Sequence, residues 1–334
     1  MKNSLISSLV VLALLSLSRV GFSLFCSDQN QDSVTIVVDQ SGHGQFTKVQ
    51  QAIDSIPAKN SVWTHILVKP GIYKEKVIVP LDKPCIVLNG HSARDTVIQW
   101  ADSIEVVESA TFTVNAENFK ARNIKFQNTY NENTQPGDLN SIKPAPAFQT
   151  TADKVSFYEC AFIGVQDTLS DLQGRHYFES CYIEGAIDFI WGGGQSYYQR
   201  CAINATAAIL GGLAGFITAQ GRNSDTDTSG YVFNEGTVMG TGTVYLGRAY
   251  RQYSRVVFSK TYLSNVVVPK GWDSWKYAGQ EQTITYAESR CTGPGADMSE
   301  RVKWEKTLSS AELDKLTNVN AFVNQDGWLQ KQPF

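Results

Sequence analysis

The chain has 334 residues, a formal net charge of -3, six Cys and four His. It is 42% hydrophobic with 26 Gly, the composition of an ordered globular chain and not of a disordered or collagen-like one. The near-neutral charge gives no footing for nucleic acid, and so few His weaken any His-metal or His-centred triad.

Lys2 precedes an apolar run of about 13 residues, Leu5 to Leu17, too short to span a bilayer but suited to the core of a signal peptide. Gly21 and Ser23 place the expected cleavage after Ser23. Residues 1–23 then form a signal peptide and 24–334 a single secreted domain. Losing Lys2 and Arg19 leaves 27 basic residues against 32 acidic ones, a mature charge of -5. No later apolar stretch is long enough to hold the product in a membrane. One N-glycosylation sequon occurs, at Asn204-Ala205-Thr206.

An 11-residue stretch, Phe46 to Ile56, carries apolar residues at helical spacing, with Pro57 after it. It predicts a short helix capping the N-terminal end of the fold. Further on, similar segments recur: FKARNIKFQN from Phe119, VSFYECAFIG from Val155, HYFESCYIEG from His176 and SYYQRCAINA from Ser196. Looser copies begin at Tyr231 and Val256. Each is aromatic and β-branched with Gly or Asn at or beside its end, which reads as a strand followed by a turn. Cys160, Cys181 and Cys201 hold equivalent places, 21 and 20 residues apart. That period lacks the LxxLxL spacing of leucine-rich repeats and is too short for helical ones. It fits a parallel β-helix, one coil per repeat. The three Cys then form an inward ladder, with a disulfide between neighbours as the alternative. Cys26, Cys85 and Cys291 have no assignable partner. Segments 127–143 and 205–229 are expected to project as long loops. Near the C-terminus, Ser309 offers an N-cap for a short helix to about Leu316. The predicted fold is all-β, with one short helix near each end.

The coil period also aligns two acids. Asp167 in GVQDTL and Asp188 in GAIDFIWG are 21 residues apart, each seven after its repeat Cys. On adjacent coils their carboxyls stand close, and two such groups do not both ionise cheaply, so one keeps its proton. A neutral acid beside an anion supplies a proton donor and a nucleophile or base together. The bland alternative is a pair of turn aspartates bonding local backbone. Arg248 in YLGRAYR is a candidate for holding a carboxylate, and Tyr250, Trp191, Trp272 and Trp275 are candidate platforms for sugar rings. Singly, each aromatic suits a core equally well. Gly42-His43-Gly44 and Gly192-Gly193-Gly194 lack the context of nucleotide-binding loops. There is no GxSxG and no Cys/His cluster at zinc spacing.

These residues are similar to those of the plant pectin methylesterases. The likeness runs through VDQSGHGQFTKVQQAIDSIP, Gly71–Glu75, Gly164–Leu169, Asp188–Gly192, Leu246-Gly247-Arg248, Gly271–Trp275, Gly293–Ala296 and Arg301–Trp304. The resemblance implies a right-handed parallel β-helix that hydrolyses the methyl esters of pectin (homogalacturonan), without metal or organic cofactor. It implies Asp188 as nucleophile and Asp167 as acid, then base. Gln166 would stabilise the negatively charged intermediate, and Arg248 would orient Asp188. It further implies pectin and a proteinaceous inhibitor as partners, a cell-wall setting and a monomer.

Three positions depart from the family pattern. Pro144 stands where its QAVAL-type motif has an intermediate-stabilising Gln, with Gln149 and Gln220 as possible substitutes. LGRPW becomes Leu246–Tyr250, and Trp191 replaces a Phe. The alternative function is therefore a catalytically weak homologue that binds pectin or regulates the wall. A glycosidic hydrolase is a further reading, but the acids that should accompany His43 are missing. A lyase would need an acidic calcium cluster, which the sequence lacks.

Overall fold

The computed structural model describes residues 26–27 and 34–333; the signal-peptide segment lies outside them. The described residues wind into a right-handed parallel β-helix with three parallel sheets, of ten, eight and eight strands. Val34–Val38 pairs with the next strand in the chain, Thr64–Val68; from there on each strand pairs with the one three places further along, so one coil contributes one strand to each sheet.

Each ten-residue repeat is two strands, a correction to the expected strand and turn. Val155–Tyr158 belongs to the ten-stranded sheet and Ala161–Ile163 to an eight-stranded one. Between them the backbone bends at a single left-handed residue, Glu159. Asn123, Ser180, Arg200, Glu235 and Lys260 do the same in other coils, with φ between 48° and 58°. This conformation costs a side-chain-bearing residue about 1–2 kcal/mol. The bend is tolerated because it leaves no backbone donor orphaned. Glu159, Ser180 and Arg200 each donate their N–H to a carbonyl of the following coil.

Side chains that point inward stack with the period of the coil. Phe157, Phe178, Tyr198, Phe233 and Phe258 form a column with successive ring centroids 4.4–4.9 Å apart. Each such contact adds about 0.5–1.5 kcal/mol to what burial supplies. Cys160, Cys181 and Cys201 form the inward ladder as buried free thiols. Burial pushes the Cys160 thiol up to about 12, which keeps it unreactive. The disulfide lies elsewhere, between Cys26 and Cys85.

Helix α1 spans Val49–Ser55, shorter than expected, because Phe46 pairs with Val38 as a β-bridge instead. Its first turn is satisfied from outside the helix: Glu75 accepts from the N–H groups of Val49 and Gln50 at 2.8 and 2.9 Å. Val49, Ala52 and Ile53 are buried, closing the first coil. At the other end α2 (Ser310–Thr317) carries the expected Ser309 cap, completed by Glu312 into a capping box. A second short helix, α3 (Val319–Phe322), was not foreseen. Leu316 and Phe322 pack on Tyr197, Val232 and Val257, covering the outer face of the ten-stranded sheet.

One expected loop is real and one is not. After Asn128 the chain runs through turns whose base is pinned by Asn131, bonded to both backbone groups of Lys143. Segment 205–229 instead contains a full strand, Gly215–Gln220. Its FITA core is a β sequence that the surrounding Gly and Thr conceal.

Candidate active site

The eight-stranded sheet that runs from Val77–Val79 to Trp272–Asp273 has a cleft of about 940 Å³ on its outer face. Gln166, Asp167, Asp188, Trp191 and Tyr250 line it. Asp167 and Asp188 occupy the corners leading into consecutive strands of this sheet. Gln166 bridges to Ile187, and Asp167 donates its N–H to Ile187 O at 3.0 Å, which fixes the two acids one coil apart. Both are left-handed, at φ 61° and 47°. Asp tolerates that region better than most residues, and strain of this kind collects at functional sites.

Arg248 comes from two coils further on. Register places Trp191 opposite Ala219, and the pairing of Thr218 with Gly247 puts Arg248 next on the same ladder. The small Ala219 between them leaves room for the guanidinium to reach Asp188. Nε donates to one carboxylate oxygen at 2.7 Å and a terminal nitrogen donates to the other, a fork-to-fork pair. The guanidinium is sandwiched between Phe216 and Trp275, 4.4 and 4.3 Å from the ring centroids. Phe216 escaped the sequence reading because it lies in the supposed loop. Replacing Phe216 by Ala is expected to loosen the fork and lower kcat about tenfold, an effect of order 1–2 kcal/mol. Steady-state kinetics beside a Tm measurement would check it; unchanged kcat would reject the clamp.

The pair is electrostatically asymmetric. Burial, then the negative charge of Asp188, raise the Asp167 carboxyl well above the usual range, with Arg248 only partly opposing them. Burial also raises Asp188, and hydrogen bonds and charge from Arg248 oppose that rise without cancelling it. Of the two, Asp167 holds a proton the more readily and Asp188, on Arg248, the charge. Two carboxyls of unequal proton affinity thus face one cleft.

Other predicted positions fall variously. Trp191 and Tyr250 line the cleft with rings 6.3 Å apart. Trp275 stacks on Arg248 at the surface. Trp272 is no platform: it is 1% exposed and stacks on Tyr286 inside the coil, because it pairs with the inward Gly247. Asn204 lies mid-strand in the other eight-stranded sheet, its amide donating to Glu184 at 3.0 Å. Pro144 lines the cleft beside Gln166. Neither candidate substitute lines the cleft. Gln149 donates its amide to Val107 O, and Gln220 is fully buried, accepting from the N–H groups of Arg222 and Arg255. Gln166 remains as the side-chain amide beside the aspartates.

Beneath the cleft floor Asp171 accepts from Tyr198 and pairs with His176, whose other ring nitrogen meets Ala152 O at 2.8 Å. Burial opposes a charge on His176, but Asp171 and the hydrogen bonds outweigh it and raise its pKa. This pair is sealed inside the fold, both side chains fully buried. Among the described residues no cluster of His, Cys, Asp or Glu could hold a metal.

The sequence matches the Pectinesterase family over residues 35–326. It is 46% identical to Probable pectinesterase 29 of Arabidopsis thaliana over 301 residues, 89% of each chain. The fold superposes on pectin methylesterase from carrot with a TM-score of 0.83 at 29% identity, covering 95% of this chain and 98% of that one. The Aspergillus niger pectin methylesterase follows at 0.74 and 26%, covering 90% and 96%. The chain belongs to the pectinesterase family.

Proposed function

We propose that this protein hydrolyses the methyl esters of pectin by way of an Asp188 acyl-enzyme. Asp188, held by Arg248, attacks the ester carbonyl, and the resulting oxyanion accepts a hydrogen bond from the Gln166 amide. Collapse breaks the bond to methoxide, which takes the Asp167 proton and leaves as methanol. Asp167, now ionised, removes a proton from water. The hydroxide adds to the acyl carbonyl, and the second collapse frees Asp188, a galacturonate carboxyl and a reprotonated Asp167. Trp191 and Tyr250 flank the sugar chain. The observation that carries this reading is the forked Arg248–Asp188 pair with the Asp167 carboxyl facing the same cleft one coil away. Methanol release from methylated pectin tests it; release no greater than from an Asp188→Asn control would sink it.

A second reading is supported by Pro144, which brings neither amide nor N–H to the cleft wall. In that reading the protein binds pectin and turns it over slowly. Losing one oxyanion donor costs about 10²–10³ in kcat elsewhere. Pro144→Gln is accordingly expected to raise kcat by about tenfold or more, with KM little changed. A variant no faster than the parent would show that the site does not lack a donor there. The apolar leader-like segment and the Cys26–Cys85 disulfide support an extracellular, cell-wall setting. A monomer and a proteinaceous inhibitor as partner belong to the same proposal, as does a glycan at Asn204.

A further inference from the structure

The two rings that enclose the Arg248 guanidinium are held in different ways. Phe216 sits within the strand Gly215–Gln220, pairs in register with Tyr245 and stacks on that ring at 5.2 Å. Its place follows from the sheet. Trp275 belongs to no strand. It lies two residues past the end of the strand Trp272–Asp273, opens a short 3₁₀ turn to Tyr277, and is exposed. Its backbone is left-handed, at φ 50°, a conformation that costs free energy in a residue with a side chain. Such a conformation persists only where the surroundings hold it.

Asp273 provides that hold. Its Oδ1 accepts the Trp275 N–H at 2.6 Å across Ser274, an Asx-turn. Register places Asp273 beside Arg248 on the neighbouring coil, and the Asp273 carbonyl accepts the Ala249 N–H at 3.1 Å. One residue therefore grips the Arg248 strand with its backbone and the ring stacked on Arg248 with its side chain. Lys276, with Nζ 4.3 Å from the Trp275 centroid, belongs to the same turn and adds no anchor to the coil. Asp273 is also an acid one coil from Arg248, whereas Asp188 is two coils away. The guanidinium nevertheless forks to Asp188, and Asp273 commits Oδ1 to the Trp275 N–H.

We propose that Asp273 is a positioning residue: its side chain seats Trp275 on Arg248 and so keeps the guanidinium forked to Asp188. The effect on rate rests on the pectin reading. The effect on Arg248 rests on the fold alone.

Methanol release and hydrogen exchange of the Arg248 Nε–H, in protein labelled with ¹⁵N-arginine, test this on wild type, Asp273→Ala, Asp273→Asn and Trp275→Leu. Asn keeps an oxygen for the Trp275 N–H and drops the charge; Ala keeps neither. Asp273→Ala should lower kcat about tenfold and speed the exchange by a similar factor, because a loosened fork presents Asp188 less often in the attacking geometry. KM should stay within about twofold, since Trp275 does not line the cleft. Asp273→Asn should recover both rate and exchange to within about threefold of wild type. Trp275→Leu should match Asp273→Ala, and the double variant should be no worse than either alone, as expected when one residue acts through the other. Unchanged kcat in Asp273→Ala, no recovery in Asp273→Asn, or losses that multiply in the double variant would each overturn the proposal. The esterase reading fails separately. No methanol from wild type, with exchange slow in wild type and Asp273→Asn but fast in Asp273→Ala, would remove the reaction and keep the seating of Arg248.

Discussion

Asp188→Asn is expected to lower kcat roughly 10⁴- to 10⁶-fold, the scale seen when a nucleophile that acts as part of a unit is removed. The same change should lower Tm. The carboxylate is the forked partner of Arg248, whose side chain is only 18% exposed, and Asn cannot balance that charge. Stopped assays for methanol with thermal unfolding of the same preparation would read both effects. Activity lost with Tm unchanged would mean that the fork contributes nothing to folding. Activity retained would remove Asp188 from the chemistry altogether.

Asp167→Asn should behave differently, and the contrast tests the assignment of roles. Its kcat on methyl esters is expected to fall by roughly 10²–10⁴, the usual share of general acid–base catalysis. An activated aryl ester needs no proton on its leaving group. It should therefore acylate Asp167→Asn in a burst of one equivalent and then stall, because the base for water is gone. The Asp188→Asn variant should give no burst. Stability moves the other way as well. The Asp167 carboxyl is raised by burial and by Asp188, so the folded protein holds this proton more tightly than the unfolded chain does. Between the ordinary carboxyl value and the raised one, folded molecules bind more protons, so stability falls as pH rises through that window. Asn removes this penalty. Tm should rise at neutral pH relative to wild type, and the gain should vanish on acidification below the ordinary carboxyl range. In wild type, methanol release should decline as pH climbs through the raised Asp167 value.

The parts of this site that were legible in the sequence are those tied to the coil period. Asp167 and Asp188 keep the register of Cys160 and Cys181, so a count of residues placed them on neighbouring coils. Arg248 and Tyr250 could be named but not located, since an irregular insert separates their coil from the acids. The left-handed corners gave no signal, because Glu159, Arg200 and Lys260 fill them where Gly or Asn would be expected. What permits them is the hydrogen bond to the next coil, a long-range property. Phe216 was hidden for a related reason: glycines around it look like loop, yet they let two coils approach. Trp272 and Trp275 are equivalent by composition and only three residues apart. Pairing with Gly247 turns the first inward, and the bend after Asp273 leaves the second on Arg248. The Cys26–Cys85 disulfide follows no spacing rule, since it joins the N-terminal segment to a coil that only the fold brings near it.

Two aspartates one coil apart share the work because one proton stays on Asp167 while Asp188 is ionised. Carbon-13 NMR of protein labelled at the Asp carboxyl carbons, titrated in wild type and in Asp188→Asn, measures this directly. One carboxyl should titrate above the ordinary range in wild type and move down once the neighbouring charge is removed. Two carboxyls titrating in the ordinary range, or a high value that does not respond to Asp188→Asn, would contradict it.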